Sequence, residues 1–239
     1  GDFYEAFGED AHTLSQLADI QLCKSDRQGF PMTGVPVRSL DLYAERVLKR
    51  GTSLAIYDQL GIGENGKILR KFTKLITPGS FWDEQQSNEN TKFILAISTA
   101  TGLPGNGQLA EGHSYDHQFS LAWGEFSTGK LNWTLCNFNN LFRMFGIISP
   151  VEIILDKRIE FLKETIDSYF QQTIPLHCYE KDDKIQTTKG ITQNVDCNSD
   201  AYFDFDKSSV DLMMSYLKDK NISNSSVFED LKYFDQKSI

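Results

Sequence analysis

At 239 residues, with 40% hydrophobic and 24% charged side chains, the chain has the composition of an ordinary globular protein with room for one large or two ordinary domains. No apolar run approaches the roughly 18 residues of a membrane helix and no charged-then-apolar signal opens the sequence, which argues against a membrane partner. The net charge of −9 excludes a uniformly basic nucleic-acid binder, yet residues 21–80 hold ten Lys/Arg against five Asp/Glu, and the acidic excess lies in residues 81–239.

The chain opens on Gly1-Asp2-Phe3-Tyr4-Glu5-Ala6-Phe7-Gly8-Glu9-Asp10-Ala11. In an extended segment the side chains of residues i and i+2 project to the same side, so Phe3 and Glu5 would share a face. An aromatic beside a carboxylate can stack on a planar ring and accept a hydrogen bond from its edge; the plainer reading is a core Phe and a solvated Glu. Ala11 to Ala18 then reads as a short helix with Leu14, Leu17 and Ala18 on one side, Ile20 to Leu22 as a strand, and Ser25 to Gly29 as a turn.

Phe30-Pro31-Met32-Thr33-Gly34-Val35-Pro36-Val37-Arg38-Ser39 carries two prolines that bias their neighbours towards extended backbone, and reads as a rigid loop or a plain connector. A helix comes next, with Ser39 as N-cap, Leu40, Tyr43, Ala44, Val47 and Leu48 on one face, and Gly51 beyond Lys49-Arg50 at its end. Arg38, just ahead of that helix, is a candidate phosphate contact. Thr52 to Gln59 reads as a strand. Gly61-Ile62-Gly63-Glu64-Asn65-Gly66 fits a dinucleotide-binding pattern, but the adjoining segment, Ile68 to Ile76, is strand-like, and Asn65-Gly66 is a favoured hairpin pair. The glycines therefore make a turn and not a nucleotide site. Arg70, Lys71 and Lys74 form a basic strand that either faces a DNA backbone or is a solvated edge. Thr77-Pro78-Gly79 ends it, closing a first domain over 1–82, and the polar stretch 83–91 reads as a linker.

A second domain over 92–239 starts with a buried-strand run, Lys92 to Ser98. The loop from Thr101 to His117 holds His113, Asp116 and His117 without a second ligand cluster, and its Gly102 to Gly107 segment lacks the lysine of a phosphate loop. Phe119 to Phe126 and Lys130 to Leu135 flank Ser127-Thr128-Gly129 as a hairpin. Then come a helix with Leu141, Met144 and Phe145, a strand Val151 to Leu155, a helix Arg158 to Phe170, a strand Ile174 to Tyr179, an irregular acidic stretch Asn194 to Asp206 and a last helix Val210 to Leu217. This order specifies an α/β layered domain. Cys23, Cys136, Cys178 and Cys197 form no Cys-x-x-Cys pair and read as reduced thiols, with no metal site and no catalytic nucleophile signature.

Residues 1–11, Pro31-Met32-Thr33-Gly34-Val35-Pro36 and Thr77-Pro78-Gly79, in this order and at these separations, resemble the MutS family of DNA mismatch repair proteins. The later Pro150-Val151-Glu152-Ile153-Ile154-Leu155 and the Ser127-Thr128-Gly129 hairpin resemble that family's connector domain. The resemblance implies a mixed α/β mismatch-recognition domain followed by a ribonuclease-H-like α/β connector. It implies that Phe3 wedges beside a mispaired base and Glu5 hydrogen-bonds it, and it places the Pro31–Pro36 stretch near the DNA, which adds Met32 to the contact candidates Arg38, Arg70, Lys71 and Lys74 read from the residues. Double-stranded DNA with mismatches or small loops, a second MutS-type subunit and a MutL-type protein are the implied partners. The implied ATPase, with ATP and Mg2+, belongs to parts of a parent protein absent from this chain, which would itself hold no cofactor and be no enzyme. The abrupt start leads us to expect missing upstream residues, and the compartment would be intracellular: mitochondrial or nuclear in a eukaryote, cytoplasmic in a bacterium. Two other readings stand beside it. One is a metal-dependent nuclease using Asp116, Glu125 and Asp156; the other is a protein-interaction module that reads no mismatch.

Overall fold

The opening alternation of Phe3, Tyr4, Glu5, Ala6 and Phe7 forms a strand, β1 (Phe3–Phe7), with Phe3, Glu5 and Phe7 outward. The computed structural model describes residues 2–24, 29–63, 66–81, 91–100, 118–180, 208–222, 228 and 230–234, and divides into two units, residues 1–87 and 88–239. The expected turn at 25–29 (except Gly29), the hairpin tip at 64–65, the linker (except Thr91), the loop with His113, Asp116 and His117, and the acidic stretch with Cys197 lie outside these residues.

In the first unit α1 (Glu9–Ala18) follows β1, and its buried residues are Ala11 and Ala18. The expected strand at Ile20 to Leu22 forms later, as β2 (Cys23–Lys24). The helix end captures Ile20: Asp19 turns left-handed at φ 55°, the Ile20 amide donates to the Ser15 carbonyl, and the Ser15 hydroxyl donates to the Ile20 carbonyl at 2.6 Å.

The stretch expected as a loop is instead a strand, β3 (Pro31–Pro36), at the centre of a sheet ordered β1-β3-β2. Its two prolines occupy the first and last positions, where the missing amide costs the ladder least. The register against β1 pairs Phe3 with Pro36, Glu5 with Gly34 and Phe7 with Met32; on the other side Met32 pairs with Cys23.

A short 3-10 turn, Val37–Ser39, leads into α2 (Leu40–Leu48), whose Ala44, Val47 and Leu48 are buried as the periodicity requires. Ser39 stands at the cap position without a side-chain cap bond, because the preceding turn gives it φ −113° and ψ 10°, away from the extended backbone a capping hydroxyl needs. β4 (Leu54–Ile62) and β5 (Ile68–Ile76) form a separate two-stranded antiparallel arm. β5 being a strand removes any helix that would serve a dinucleotide, and Gly66 takes the positive φ of 72° that its turn requires. Ala44, Leu48, Ile56 and Ile76 make a small core, with Tyr4, Leu40, Leu54 and Phe81 against it.

The second unit is a six-stranded sheet in the order β10-β9-β6-β7-β8-β11. Its strands are β6 (Ile94–Thr99), β7 (Gln118–Glu125), β8 (Lys130–Asn137), β9 (Glu152–Asp156), β10 (Leu176–Tyr179) and β11 (Asp230–Tyr233). β6 lies between an antiparallel meander, β7 and β8, and the parallel pair β9 and β10, a mixed α/β arrangement as the resemblance implied.

Side-chain alternation separates the two faces. Leu95, Ile97, Leu121, Trp123, Ile153 and Leu155 pack with residues of α3 (Phe138–Ile148) and α4 (Lys163–Tyr169) in one apolar core. The other face carries small residues, Ala96, Ser98, Ser120 and Ala122, all fully buried. Against it α5 (Ser208–Asp219) closes near enough for the Ser120 and Ser209 hydroxyls to bond at 2.7 Å. Burial of each large apolar side chain here stabilises by about 1.5–3 kcal/mol. Burial also pushes the Cys136 thiol up to about 12, which leaves it inert.

Two features depart from expectation. The helix expected over 158–170 starts as a 3-10 stretch, Lys157–Leu162, broken at Ile159 (φ −117°, ψ 26°), which turns Ile159 and Leu162 into the core before α4 begins. β11 had no counterpart among the elements expected from the sequence. It adds parallel to β8 and is held by the Phe234 amide on the Trp133 carbonyl at 2.8 Å and by the Trp133–Tyr233 ring pair. Beside it Phe228 lies over Gly124, where an added Cβ would stand 2.6 Å from the ring. Gly124→Ala is therefore expected to cost the second unit about 1–3 kcal/mol by overpacking. Urea denaturation followed by tryptophan fluorescence measures this, and an unchanged midpoint would contradict the close packing.

Candidate nucleic-acid interface

The outward face of the small sheet is the first candidate site. On β1 it presents Phe3, Glu5 and Phe7, with Phe3 56% and Phe7 44% exposed, although apolar rings on a strand ordinarily turn inward. Directly across on β3 stand Pro36, Gly34 and Met32, while Thr33 and Val35 point the other way into the unit. Gly34 matters through its missing side chain: a Cβ there would touch the Phe3 ring at 3.6 Å, so the ring lies along bare backbone. Phe3 and Glu5 thus form an aromatic ring and a carboxylate side by side, open to solvent, over a flat floor. Met32 is half-buried on this face, at the Phe7 end. Arg38 is exposed two residues beyond Pro36, at the Phe3 end.

Arg70, Lys71 and Lys74 lie elsewhere, on β5 of the arm. Arg70 and Lys71 are exposed, and Lys74 is half-buried near the root, paired with Ile56. The arm is tied to β1 through the residue between the two candidate readers. The Tyr4 hydroxyl donates to Asp58 Oδ1 at 3.1 Å, and the Thr73 hydroxyl donates to Asp58 Oδ2 at 2.8 Å. Burial, then the hydrogen bond and charge of Asp58, hold the Tyr4 phenol above its ordinary value. Sequence reasoning missed both Phe7 and this tie. Carrying the two-residue alternation one step past Glu5 would have found Phe7; the Tyr4–Asp58 contact spans 54 residues and had no local signal.

In the second unit the sheet register separates the carboxylates of the nuclease reading. Asp156 follows Leu155, the partner of Ile97, so it lies at the Ser98 end of β6; Glu125 lies beyond Gly124, the partner of Ile94, at the opposite end. Five strand residues at about 3.3 Å each put them roughly 16 Å apart, too far to share a metal pair. Each is also engaged. Glu125 accepts from the Ser127 and Thr128 hydroxyls at 2.5 and 2.9 Å. Asp156 accepts from Arg158 Nη2 and from Ser98 Oγ, both at 2.6 Å. Burial alone would raise the Asp156 carboxyl, but the bonds from Arg158 and Ser98 outweigh it and hold it below the usual carboxylate range. The third residue of that reading, Asp116, lies outside the described residues. No group of three metal-ligating side chains occurs among the described residues, nor any helix long and apolar enough to cross a membrane.

Residues 1–85 match the family model for MutS domain I. The chain is 28% identical to the DNA mismatch repair protein MutS of Macrococcus caseolyticus over 91% of its own length and 23% of that protein. It is 34% identical to the protein of the same name from Thermus thermophilus over 65% of this chain and 18% of the relative. For that of Petrotoga mobilis the figures are 33%, 70% and 19%. The chain spans less than a quarter of the length of these relatives.

The Asp156–Arg158 bond gives the second unit a pH dependence of defined sign. Because the folded carboxyl titrates below its unfolded value, its stabilisation is present above the unfolded value and is lost as pH falls through the folded one. Arg158→Gln should destabilise by on the order of 1 kcal/mol at pH 7, a modest figure because the guanidinium is largely solvated. The gap from wild type should close in strong acid. A gap independent of pH in urea titrations would show that Arg158 acts through packing alone.

Proposed function

We infer the function from one premise: the chain belongs to the MutS family of DNA mismatch repair proteins, with that family's domain I over residues 1–85. On our reading the chain serves mismatch repair by binding duplex DNA at mispairs or small loops. Phe3 enters the minor groove beside the mispaired base and kinks the duplex, and Glu5 accepts a hydrogen bond from the displaced base. The observation that carries this is the exposed Phe3–Glu5 pair on one face of β1, over the bare backbone of Gly34.

The energetics favour a mispair. Unstacking costs a few kcal/mol per step and least where a base is already badly paired, so a wedge selects such sites. The Glu5 carboxylate also repels phosphates, which disfavours ordinary duplex unless a base edge is presented to it. Arg38 and the arm's Arg70, Lys71 and Lys74 supply sequence-independent attraction to the backbone, and Met32 extends the apolar face beside the groove. The second unit is read as a connector. It relays the bound state to ATPase domains that use ATP and Mg2+ in the remainder of a longer protein, and, its sequence being acidic, it serves as the contact for a MutL-type partner. A second MutS-type subunit completes the clasp around DNA, in an intracellular compartment.

The nuclease reading loses ground because Glu125 and Asp156 sit at opposite ends of the sheet, each occupied by its own partners. The test is fluorescence anisotropy with the full-length protein, on a duplex bearing one G·T mispair and on its matched twin, over a series of salt concentrations. Phe3→Ala should abolish the preference for the mispair while salt-dependent binding to both duplexes survives. A variant that still discriminates would remove Phe3 from the wedge role.

A further inference from the structure

β1 presents Phe3 and Glu5 from the edge of its sheet. In the order β1-β3-β2 it is bonded on one side to β3, and among the described residues its other side carries no strand. A strand held along one side can tilt about that side, and a tilt swings every outward side chain it carries. What resists the tilt lies on the inner face. The inward residues of β1 are Tyr4 and Ala6, and Tyr4 is the only large one. Its ring packs against the small core of Ala44, Leu48, Ile56 and Ile76, contributed by α2 and the arm.

Beyond the ring, the Tyr4 hydroxyl donates to one oxygen of Asp58 at 3.1 Å, and the Thr73 hydroxyl donates to the other at 2.8 Å. Thr73 is where the arm departs from regular pairing. The register steps from Ile56–Lys74 to Tyr57–Phe72, which leaves Thr73 as an extra residue on β5. Such a bulge bends its strand and re-aims a side chain, and here the bulged residue is the one that holds Asp58. One carboxylate thus joins three strands: it sits on β4 and takes a hydroxyl from β5 and one from β1. Both bonds are exposed to solvent and add little to stability. What they fix is a direction. Binding groups in general must be held to within about 0.5 Å and 10–20° of their working geometry, by neighbours that are themselves locked by packing and hydrogen bonds.

We propose that Tyr4 is the positioning residue of the Phe3–Glu5 pair. Its hydroxyl, seated on an Asp58 that the bulged Thr73 orients, sets the tilt of β1 and with it the direction in which Phe3 and Glu5 leave the sheet. The Tyr4 side chain faces away from the pair, so it acts through the strand and not on a base. What the pair does is taken from the function inferred above; the tie itself stands without it.

The experiment compares full-length wild type with Tyr4→Phe, Asp58→Ala, Asp58→Asn, the double variant Tyr4→Phe with Asp58→Ala, and Phe3→Ala. Tyr4→Phe keeps the ring in the core and removes only the hydroxyl. Asp58→Asn keeps an acceptor oxygen and removes the charge. Anisotropy on a matched and on a G·T duplex gives the mispair preference as a ratio, in which a general change in phosphate attraction cancels. Hydrogen exchange of the β1 and β3 amides is followed in the same proteins without DNA.

Tyr4→Phe and Asp58→Ala should each cut the mispair preference by about fivefold, the worth of one modest hydrogen bond, with matched-duplex affinity for Tyr4→Phe within about twofold of wild type. The double variant should lose no more than either single one, because both break the same contact. Asp58→Asn should keep the preference. The β1 amides should exchange faster in Tyr4→Phe and Asp58→Ala and at the wild-type rate in Asp58→Asn and Phe3→Ala. A Tyr4→Phe preference within about twofold of wild type, losses that add in the double variant, or unchanged β1 exchange would overturn the proposal. So would an equal loss on matched and mispaired duplexes, the mark of a fold merely weakened. If Phe3→Ala keeps the preference, or wild type shows none, the wedge reading fails, and β1 exchange still decides whether Tyr4 and Asp58 hold the strand.

Discussion

The pairing of β1 with β3 decides what the first unit can do. Because Glu5 pairs with Gly34 and Phe3 with Pro36, the outward face has no tall side chain between the two candidate readers, and the Phe3 ring lies along backbone. A slip of one residue would turn Phe3, Glu5 and Phe7 inward and expose Tyr4 and Ala6. The register is held from the inner side, where Val35 and Thr33 are buried and Tyr4 packs against the small core of Ala44, Leu48, Ile56 and Ile76. The apolar residues that should be inside are inside, and Phe3 and Phe7 remain exposed on the opposite side of the strand.

Tyr4 links this face to everything else in the unit. It is the residue that separates Phe3 from Glu5, and its hydroxyl reaches Asp58 on the arm, so the same strand carries the exposed pair on one side and a tether on the other. A hydrogen bond from a phenol to a charged carboxylate contributes at most about 1.5–3 kcal/mol, and less where the pair is exposed as here. Its importance is directional: it relates the basic strand β5 to the Phe3–Glu5 face of β1.

The second unit is built differently. Its sheet is covered on both faces, by α3 and α4 on one and by α5, which closes over Ser120, on the other. Its polar groups at strand ends are tied to neighbours, as Asp156 is to Ser98 and Arg158. Glu125, at the other end of the sheet, is held in the same way by the Ser127 and Thr128 hydroxyls.

The amino-acid sequence by itself carried the resemblance to the MutS family, the α/β class, the helical face of α2, the strand character of β5 and the shared face of Phe3 and Glu5, because each depends on residues a few positions apart or on a family motif. The side-chain alternation of a strand is local, and so is the hairpin chemistry around Gly66. Only the tertiary structure decided that Pro31–Pro36 is a central strand and not a loop, that Ile20 belongs to a helix end, that Phe7 joins the outward face, and that β11 extends the second sheet. Those outcomes depend on partners far along the chain: β1 for β3, Asp58 for Tyr4, Trp133 for Phe234. An extended segment has no internal hydrogen bonds with which to declare itself, so a strand's existence and face are settled by its neighbours, and no pattern within six residues contains them.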